Sequence, residues 1–268
     1  MCIRDRLITG ASSGLGRSIA EKLSNHNFIV YGTSRNPKEI NAKYKLLKFD
    51  ITQYEDAERI TDYLISKHGK IDILINNAGI SITGPVESSE MSDIKNLYDT
   101  NFFGQINLIQ KVVPHMRKNM SGLIINITSI AGYLGLPFQS IYCASKASLN
   151  LLGESLNMEL KNFNVKIVNL APGDYKTEII DNRRDSILDN NSPYNPEYSS
   201  FTKAITRGMS KKGNDPREIA DMVFKIINSK NPKIHYLSGK FIQKLVTLKE
   251  FIPDMIFEKI VMKMYKLK

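Results

Sequence analysis

The 268-residue chain has no tryptophan, only two cysteines and no long hydrophobic run. Two cysteines are too few for a disulfide framework, so a reducing compartment is expected. No apolar stretch approaches the ~18 residues that a membrane-spanning helix needs, and the first residues lack the hydrophobic region of a signal peptide. The sequence therefore predicts a cytoplasmic protein.

Positive charge is present in excess, with 37 Lys and Arg against 27 Asp and Glu, and it is unevenly distributed. The segment Lys225–Lys268 holds ten lysines and three acidic residues, a net charge of +7 out of +10. A nucleic-acid-binding protein more often spreads Arg and Lys over one face together with aromatic stacking groups. No nucleic-acid partner is therefore expected, and a solvated lysine-rich surface is the simpler explanation.

The first six residues, Met1–Arg6, are expected to be an artefact of sequence assembly, because they match the translation of a common sequencing adapter. Leu7-Ile8-Thr9 leads into a glycine-rich turn, so a strand should end there. A central strand covered on both faces should be continuously apolar. Arg4, Asp5 and Arg6 instead place three charges before Leu7, and each would need a partner or water. If the six residues are genuine, a frayed terminus is expected.

Apolar, β-rich runs alternate with helical stretches along the chain. This alternation indicates right-handed strand–helix–strand crossovers and one open parallel sheet with helices on both faces. The hydrophobic content of 42% is sufficient for a sizeable core, so we expect a single doubly wound α/β domain of about seven strands. The predicted strands include Phe28–Tyr31, Leu46–Phe49, Ile71–Ile75, Leu123–Ile127 and Val165–Leu170, and the predicted helices lie around Ile19–Ser24, Ala57–Lys67, Ile94–Lys118 and Tyr142–Lys161.

A glycine-rich turn, Thr9-Gly10-Ala11-Ser12-Ser13-Gly14-Leu15-Gly16, joins the first strand to the first helix. Glycines there let the chain turn tightly and let a pyrophosphate approach the backbone, where the helix N-terminus offers N–H groups and a positive dipole end. The same spacing also occurs in ordinary tight turns. Its place in the first strand–helix unit favours dinucleotide binding.

The end of the second strand lacks a carboxylate for a ribose 2′-hydroxyl. Such a residue is expected about 20 residues after the glycine turn, but the sequence there is Gly32-Thr33-Ser34-Arg35. The Ser34 hydroxyl and the Arg35 guanidinium suit a 2′-phosphate through charge-assisted hydrogen bonds. NADP(H) is therefore expected in preference to NAD(H), although an ordinary surface arginine would give the same pattern.

Tyr142 and Lys146 stand four residues apart in a predicted helix, which places the phenol and the ammonium on one face. A free tyrosine has a pKa of ~10, and lowering it to about 7 requires roughly 4 kcal/mol. A lysine charge ~4 Å away, at an effective dielectric constant near 20, supplies about that much. Most such pairs on helices are structural, so this one needs support from other residues.

Support comes from polar residues near the ends of predicted strands. Ser129 comes just after Leu123–Ile127, and Asn76-Asn77-Ala78-Gly79 follows Ile71–Ile75. Sites in parallel α/β sheets form beyond the carboxyl ends of the strands. Asn101 lies inside an otherwise amphipathic helix, where an asparagine is unfavourable unless its side chain has a partner, and where it often kinks the backbone.

In this order and spacing the motifs resemble the short-chain dehydrogenase/reductase family. The resemblance runs from about Leu7 to Leu237 and also includes Asp50, Pro172-Gly173 and Thr177. It implies a Rossmann-type fold and an enzyme that transfers a hydride between NADP(H) and a ketone, an aldehyde or a secondary alcohol. It implies no metal.

The resemblance also implies roles for single residues. Tyr142 would donate or accept the proton, Ser129 would hold the substrate oxygen, and Lys146 would bind the nicotinamide ribose and lower the pKa of Tyr142. Asn101 would support a water that connects Lys146 to solvent. The implied cofactor-binding residues are Gly10, Ser12, Ser13, Gly14, Leu15, Gly16, Ser34, Arg35, Asp50, Ile51, Asn77, Ala78, Gly79, Tyr142, Lys146, Pro172, Gly173 and Thr177.

Within that set, Asp50 would contact the adenine, and Asn77 and Gly79 would flank the adenine ribose. Thr177 would face the nicotinamide carboxamide. The glycine turn departs from many NADP-preferring members, because Ser12 and Ser13 stand where those carry a basic residue.

The catalytic domain is expected to span residues 7–238, with a polar insertion over 178–213 that interrupts the alternation. So long a weakly patterned segment in a compact domain is usually a functional loop. In this family such a loop covers the substrate, so it should determine specificity.

Residues 239–268 are expected to form a basic amphipathic extension. Such a segment packs on its own domain near the cleft, packs on another subunit, or lies on an anionic membrane, and packing is favoured. Similar tails in relatives that resemble hydroxysteroid and ketosphinganine reductases indicate a bulky or lipidic substrate. The apolar stripe is Phe241, Leu245, Leu248, Ile252, Ile256, Ile260 and Met264, interrupted by Pro253 and flanked by Lys259, Lys263 and Lys266.

The expected activity is carbonyl reduction with Tyr142 as the proton donor. The alternative is a non-catalytic, nucleotide-sensing regulator on the same fold, which the complete set of Asn101, Ser129, Tyr142 and Lys146 disfavours. A sugar-nucleotide enzyme with a larger substrate domain is disfavoured because the segment after Gly239 is short. By family analogy, a homodimer or homotetramer forms through the two long helices.

Overall fold

The computed structural model describes residues 5–38, 42–177 and 183–267, with the backbone alone for 207–212 and 240–244. Strands and helices alternate along most of these ranges. The strands are β1 (Asp5–Ile8), β2 (Ile29–Ser34), β3 (Lys45–Lys48), β4 (Ile73–Asn76), β5 (Ile82–Thr83), β6 (Gly122–Ile127), β7 (Val165–Ala171), β8 (Arg184–Asp185) and β9 (His235–Leu237). The helices are α1 (Gly14–Ser24), α2 (Tyr54–His68), α3 (Met91–Tyr98), α4 (Gly104–Lys118), α5 (Ser140–Glu159), α6 (Asn195–Lys212), α7 (Pro216–Asn228), α8 (Lys240–Lys249) and α9 (Asp254–Met264).

Seven strands form one sheet in the order β3-β2-β1-β4-β6-β7-β9, and every neighbouring pair is parallel. The chain builds outward from β1 to β3 and then returns to build outward from β4 to β9. A sheet wound in this way opens a crevice where the strand order reverses, between β1 and β4. The predicted single, doubly wound Rossmann-type sheet is confirmed.

The sheet lies between two apolar layers because neighbouring residues of a strand point to opposite faces. On one face Ile8 belongs to a buried cluster with Leu23 of α1 and Val223 of α7. On the other face Leu7 belongs to a cluster with Val112 of α4. The two layers cover both faces of the sheet, and the carboxyl ends of its parallel strands lie along one edge.

Three buried asparagines cross the sheet at one level. Asn76 of β4, Asn126 of β6 and Asn169 of β7 are register partners, and each amide hydrogen-bonds the next at 3.0 Å. Asn169 also donates from Nδ2 to the carbonyl of Asn150 in α5 at 2.8 Å. Gly153 makes this approach fit, because a Cβ there would lie 2.2 Å from Asn169 Oδ1. This asparagine ladder ties α5 to the carboxyl halves of three strands.

The first strand begins at Asp5 rather than at Leu7, and both Asp5 and Arg6 are buried in it. The guanidinium carbon of Arg6 lies 3.2 Å from the centroid of the Phe28 ring, and the Asp5 carboxylate lies 3.5 Å from His68 Nδ1. Residues 1–4 are outside the described residues. The origin of Met1–Arg6 stays a prediction, which a genomic read through this locus decides.

The helix predicted over Ile94–Lys118 is interrupted. Helices α3 and α4 are joined by a turn of π-helix, Asp99–Phe103, that contains Asn101. Asn101 is fully buried in that turn, where a polar side chain needs hydrogen-bond partners. The sequence indicated a kink at the correct residue, but the single continuous helix is wrong.

The insertion over 178–213 contains regular structure, although residues 178–182 are outside the described residues. Strand β8 pairs in parallel with β5 as a separate two-stranded sheet, and α6 covers most of the rest. The segment predicted as a functional loop thus carries a short strand and a helix, and its role over the substrate stays a prediction. The sequence of α6 is polar, and the helix is held by aromatic packing, in which Tyr198 and Phe201 lie 5.3 and 5.4 Å from the ring of Phe138.

The C-terminal extension folds into α8 and α9 and packs on its own domain. Leu245, Phe257 and Val261 are buried together with Leu134. The predicted stripe is wrong in part, because Phe257 and Val261 are buried while Ile256 is exposed. Pro253 starts a new helix and so changes the phase of the apolar face. The side chain of Phe241 is outside the described residues, and within the described ranges no helix is both long and apolar enough to span a membrane.

Candidate active site

A cleft of about 550 Å³ lies at the carboxyl edge of the main sheet. Residues that follow five of its strands line it: Gly10 after β1, Arg35 after β2, Asn77 after β4, Thr128 after β6 and Pro172 after β7. This is the edge at which parallel α/β sheets bind ligands.

The glycine turn forms one wall of the cleft. Gly10 and Gly14 have φ angles of +65° and +53°, which glycine adopts without strain. A Cβ at Gly16 would lie 2.3 Å from the carbonyl oxygen of Gly10. The Asn77 amide donates to the carbonyls of Thr9 and Gly10 at 2.8 and 3.1 Å. The turn is therefore packed against β4, and the N-terminus of α1, whose first turn has no acidic residue, faces the place where a pyrophosphate would lie.

Polar residues line the cleft at the end of β2 and after β3. Ser34, Arg35 and Asn36 follow one another there, and Arg35 is exposed. Asp50 accepts two hydrogen bonds at Oδ1 from Thr52, one from its backbone N–H at 3.0 Å and one from its hydroxyl at 2.8 Å. This end of the cleft thus combines an exposed cationic side chain with a carboxylate that is held in place.

Tyr142 and Ser129 meet in the deeper part of the cleft. Burial raises the pKa of Tyr142 to about 12, and the neighbouring Ser129 side chain partly opposes that rise. The Ser129 oxygen accepts a hydrogen bond from the backbone N–H of Ala131 at 3.1 Å. A serine hydroxyl that accepts in this way still has its own proton to donate.

Lys146 is buried one helical turn from Tyr142 on α5. Its Nζ donates to the carbonyl of Ile127 at 3.2 Å and lies 6.0 Å from the centroid of the Tyr142 ring. Burial lowers the pKa of Lys146 to about 8. Burial disfavours the charged form of both groups, and the expectation that Lys146 lowers the pKa of Tyr142 stays a prediction.

Asn101 lies behind the cleft wall and does not line the cleft. Its Oδ1 accepts from the backbone N–H of Ile80 at 2.9 Å, and its Nδ2 donates to the Ile80 carbonyl at 3.0 Å and to the Ser145 hydroxyl at 3.3 Å. A Cβ at Gly79 would lie 3.3 Å from Asn101 Oδ1 and 3.4 Å from Lys146 Nζ. The Asn101 side chain therefore fixes the backbone beside Lys146, and the expected water relay stays a prediction.

The structure brings nearly all of the predicted site residues to this one cleft. The exceptions are Gly16 and Asn101, which support its walls from behind. Other residues line the cleft as well. Some of them adjoin predicted site residues in the sequence and could have been found from that position, whereas Arg183, Ile205 and Tyr265 reach the cleft only through contacts distant in sequence. The missed residues include Thr33, Asn36, Thr52, Gln139, Asp174, Tyr175, Arg183, Ile205 and Tyr265.

Comparisons with known proteins agree with this architecture. The family model described as short chain dehydrogenase matches residues 6–187. A 3-ketodihydrosphingosine reductase from Bacteroides thetaiotaomicron is 38% identical over 250 residues, which cover 92% of this chain and 93% of that protein.

Solved structures show the same likeness. The crystal structure of a short-chain dehydrogenase from Streptomyces avermitilis matches with a TM-score of 0.83 and 25% identity, over 97% of this chain and 95% of that one. The structure of ElxO with NADP bound matches with a TM-score of 0.73 and 26% identity, over 88% of this chain and 97% of that one.

The buried Lys146 should destabilise the free protein. Its pKa of about 8 is below the ordinary 10.5, so the destabilisation is complete below pH 8 and disappears as the pH rises towards 10.5. Lys146→Met should therefore raise the free energy of unfolding by about 1–3 kcal/mol at pH 7, and by much less near pH 10.5. Denaturant unfolding of the cofactor-free protein at both pH values measures this.

The control is Lys225→Met, at an exposed position of α7, which should change stability little at either pH. The destabilising effect of Lys146 is contradicted if Lys146→Met is less stable than the parent at pH 7. It is also contradicted if the gain in stability of Lys146→Met over the parent grows as the pH rises.

Proposed function

The chain belongs to the short-chain dehydrogenase/reductase family, and from this premise we propose that it uses NADPH to reduce a ketone or aldehyde, with Tyr142 as the proton donor. As a member of the family it is an oxidoreductase with a nicotinamide cofactor. The observation that carries the proposal is the convergence of Tyr142, Ser129 and Lys146 on one cleft, with the Lys146 ammonium buried 6.0 Å from the centroid of the Tyr142 ring.

The cleft fits a dinucleotide along its length. The left-handed Gly10 and Gly14 and the absent side chain of Gly16 leave the backbone open for a pyrophosphate at the start of α1. Thr177, after β7, and Lys146 would hold the nicotinamide end. When bound, the nicotinamide supplies the hydride.

Ser129 and Tyr142 would complete the reduction. A carbonyl oxygen that becomes an alkoxide needs hydrogen-bond donors aimed at it and a proton. The Ser129 hydroxyl supplies a hydrogen bond. Tyr142, with a pKa raised to about 12, holds its proton at neutral pH and can deliver it to the oxygen. Lys146 is mostly protonated at pH 7, so its positive charge stabilises the tyrosinate that forms.

Tyr142→Phe should lower kcat by about 100-fold or more, because the general acid is lost, while NADPH affinity stays the same. The assay follows NADPH oxidation with ketones and aldehydes that range from small diketones to sterols and long-chain ketones. Tyr133→Phe is the matched control, since that phenol lies 2.6 Å from His235 Nδ1.

If Tyr142→Phe keeps the turnover of the parent, Tyr142 is not the proton donor. The second candidate, a non-catalytic nucleotide sensor on the same fold, would instead bind NADPH and reduce no carbonyl compound in the panel.

A preference for NADPH over NADH is also proposed. Ser34 and Arg35 line the cleft at the end of β2, where a carboxylate would repel a 2′-phosphate. Arg35→Leu should weaken NADPH binding about tenfold, the effect of one lost charge-assisted hydrogen bond, and leave NADH binding unchanged. Ser34→Asp should reverse the preference. Fluorescence titration with both cofactors measures these affinities. If Arg35→Leu loses the same affinity for NADPH as for NADH, Arg35 does not bind the 2′-phosphate.

We propose a bulky or lipidic carbonyl substrate. Leu136, Ile205 and Tyr265 give the substrate end of the cleft apolar surface, and the ring of Tyr265 lies 5.1 Å from that of Phe201. The relative from Bacteroides thetaiotaomicron, named 3-ketodihydrosphingosine reductase, supports the same class.

The outer surface of the C-terminal hairpin, α8 and α9, is proposed to touch an anionic membrane. Phe251 and Met255 are 78% and 70% exposed, and Ile256 is exposed beside them. Lys249 and Lys259 are exposed nearby in sequence. Apolar side chains flanked by lysines favour an anionic lipid surface, and the opposite face of the same hairpin carries Tyr265 into the cleft.

Replacing both Phe251 and Ile256 by serine should reduce co-sedimentation with phosphatidylglycerol vesicles several-fold, because apolar burial in the interface is lost. Turnover of a water-soluble ketone should not change. Met91→Ser, at an exposed methionine of α3, is the control. If the double variant and the parent co-sediment equally with the vesicles, this surface does not bind the membrane.

A cytoplasmic homodimer or homotetramer formed through α4 and α5 completes the proposal. Leu151 and Met158 of α5 are exposed apolar residues, which supports burial of this helix face between copies of the chain.

A further inference from the structure

Arg183 is a buried cation on the cleft wall that the catalytic scheme does not use. Its side chain is 7% exposed and it lines the cleft that contains Tyr142 and Lys146. Given the carbonyl reduction proposed above, on which this inference rests, we propose that Arg183 binds a phosphate or carboxylate group of the substrate.

The two-stranded sheet places Arg183 at the cleft. The backbone N–H of Arg184 donates to the carbonyl of Ser81 at 3.0 Å, and that of Ser186 donates to the carbonyl of Thr83 at 2.8 Å. Gly84 allows this close approach, because a Cβ there would lie 2.0 Å from Ser186 Oγ. Strand β5 comes after β4 along the chain, and it therefore holds the segment that carries Arg183 beside the cleft wall.

Asp185 orients the guanidinium. Arg183 donates to Asp185 through Nε and, at 2.8 Å, through Nη2. Thr83 donates to the same carboxylate at 2.7 Å, and the Tyr198 hydroxyl lies 3.0 Å from Thr83 Oγ1. Burial alone would raise the pKa of Asp185, but the hydrogen bonds from Arg183 and Thr83 outweigh it and lower the pKa. The carboxylate is thus ionised and fixed.

The third nitrogen of Arg183, Nη1, is left without an acceptor. This atom is buried, and no described residue accepts a hydrogen bond from it. A buried donor in a native protein is nearly always satisfied, and in a binding cleft the ligand supplies the missing partner. The positions of Nε and Nη2 are taken by Asp185, so Nη1 is the donor that remains for a group bound in the cleft that Arg183 lines.

Charge decides which acceptor fits best. Guanidinium donors bind phosphate and carboxylate oxygens more strongly than neutral oxygens. An ammonium group has no acceptor and would place a second positive charge beside Arg183. The site therefore favours an anionic substrate, accepts a hydroxyl weakly and disfavours an amine.

Binding calorimetry with four octyl probes tests this at concentrations below micelle formation: octyl phosphate, octanoate, octanol and octylamine. Titrations are run with and without saturating NADPH, which occupies the pyrophosphate site. At saturating NADPH the parent should bind at least one anion about tenfold more tightly than octanol, and octylamine most weakly. The two anions distinguish phosphate from carboxylate recognition.

Arg183→Met should reduce the affinity for the preferred anion about tenfold and leave octanol within twofold. Arg184→Met is the matched control, since that neighbouring side chain is 62% exposed and pairs with Asp93 away from this contact. Arg183→Lys keeps the charge without the fork of donors and should retain part of the preference.

Four equal affinities in the parent overturn the inference even if Arg183→Met fails to fold, and so does an equal loss for all four probes in a folded Arg183→Met. The probes carry no reducible carbonyl, so the result is independent of turnover. An anion preference without reduction of any ketone would refute the proposed function alone, whereas ketone reduction without an anion preference would refute this inference alone.

Discussion

The row of buried amides across the sheet is the contact on which the active-site geometry depends. Asn76, Asn126 and Asn169 can hydrogen-bond one another in this row only in the observed register of β4, β6 and β7. A slip of one residue would move these amides to the opposite face and leave them unpaired in an apolar interior. Because Asn169 also bonds the carbonyl of Asn150, the same ladder sets the distance between the strand ends and α5. The helix that carries Tyr142 and Lys146 is thereby placed over the cleft.

The chemistry of the site comes from burial more than from the pair of charges. Tyr142 and Lys146 are both removed from water, and their pKa values move in opposite directions, to about 12 and about 8. A phenol that keeps its proton suits reduction, which ends with a proton donated to oxygen. Keeping these two groups out of water is expected to lower the stability of the free protein, as strained or desolvated functional sites commonly do. Gly79 and Asn101 hold the backbone beside the ammonium and keep this arrangement in place.

The later part of the chain completes the substrate end of the cleft. Arg183 directly precedes β8, the strand that pairs with β5, and Tyr265 follows α9. Arg183 contributes a cation whose Nη1 has no acceptor among the described residues. Tyr265 contributes an aromatic surface that packs against Phe201. The net charge of +7 from Lys225 onward lies partly on this C-terminal extension. Its buried residues pack on the domain, Tyr265 lines the cleft, and Phe251, Met255 and Ile256 are exposed.

The amino-acid sequence by itself determined the alternation of strands and helices in the main sheet, the glycine turn and the spacing of Ser129, Tyr142 and Lys146. These features depend on local periodicity and on spacing within one strand–turn–helix unit, which the linear sequence contains. The turn of π-helix at Asn101 was predicted only in part. The sequence shows a polar residue at an unfavourable position in a helix, but it does not show the hydrogen-bond partner of that residue. Tertiary structure alone decided the direction of the Tyr142 pKa, the asparagine ladder, helix α6 and the arrival of Arg183 and Tyr265. Burial and pairing depend on residues far apart in the chain, and spacing along the chain does not encode which of them meet.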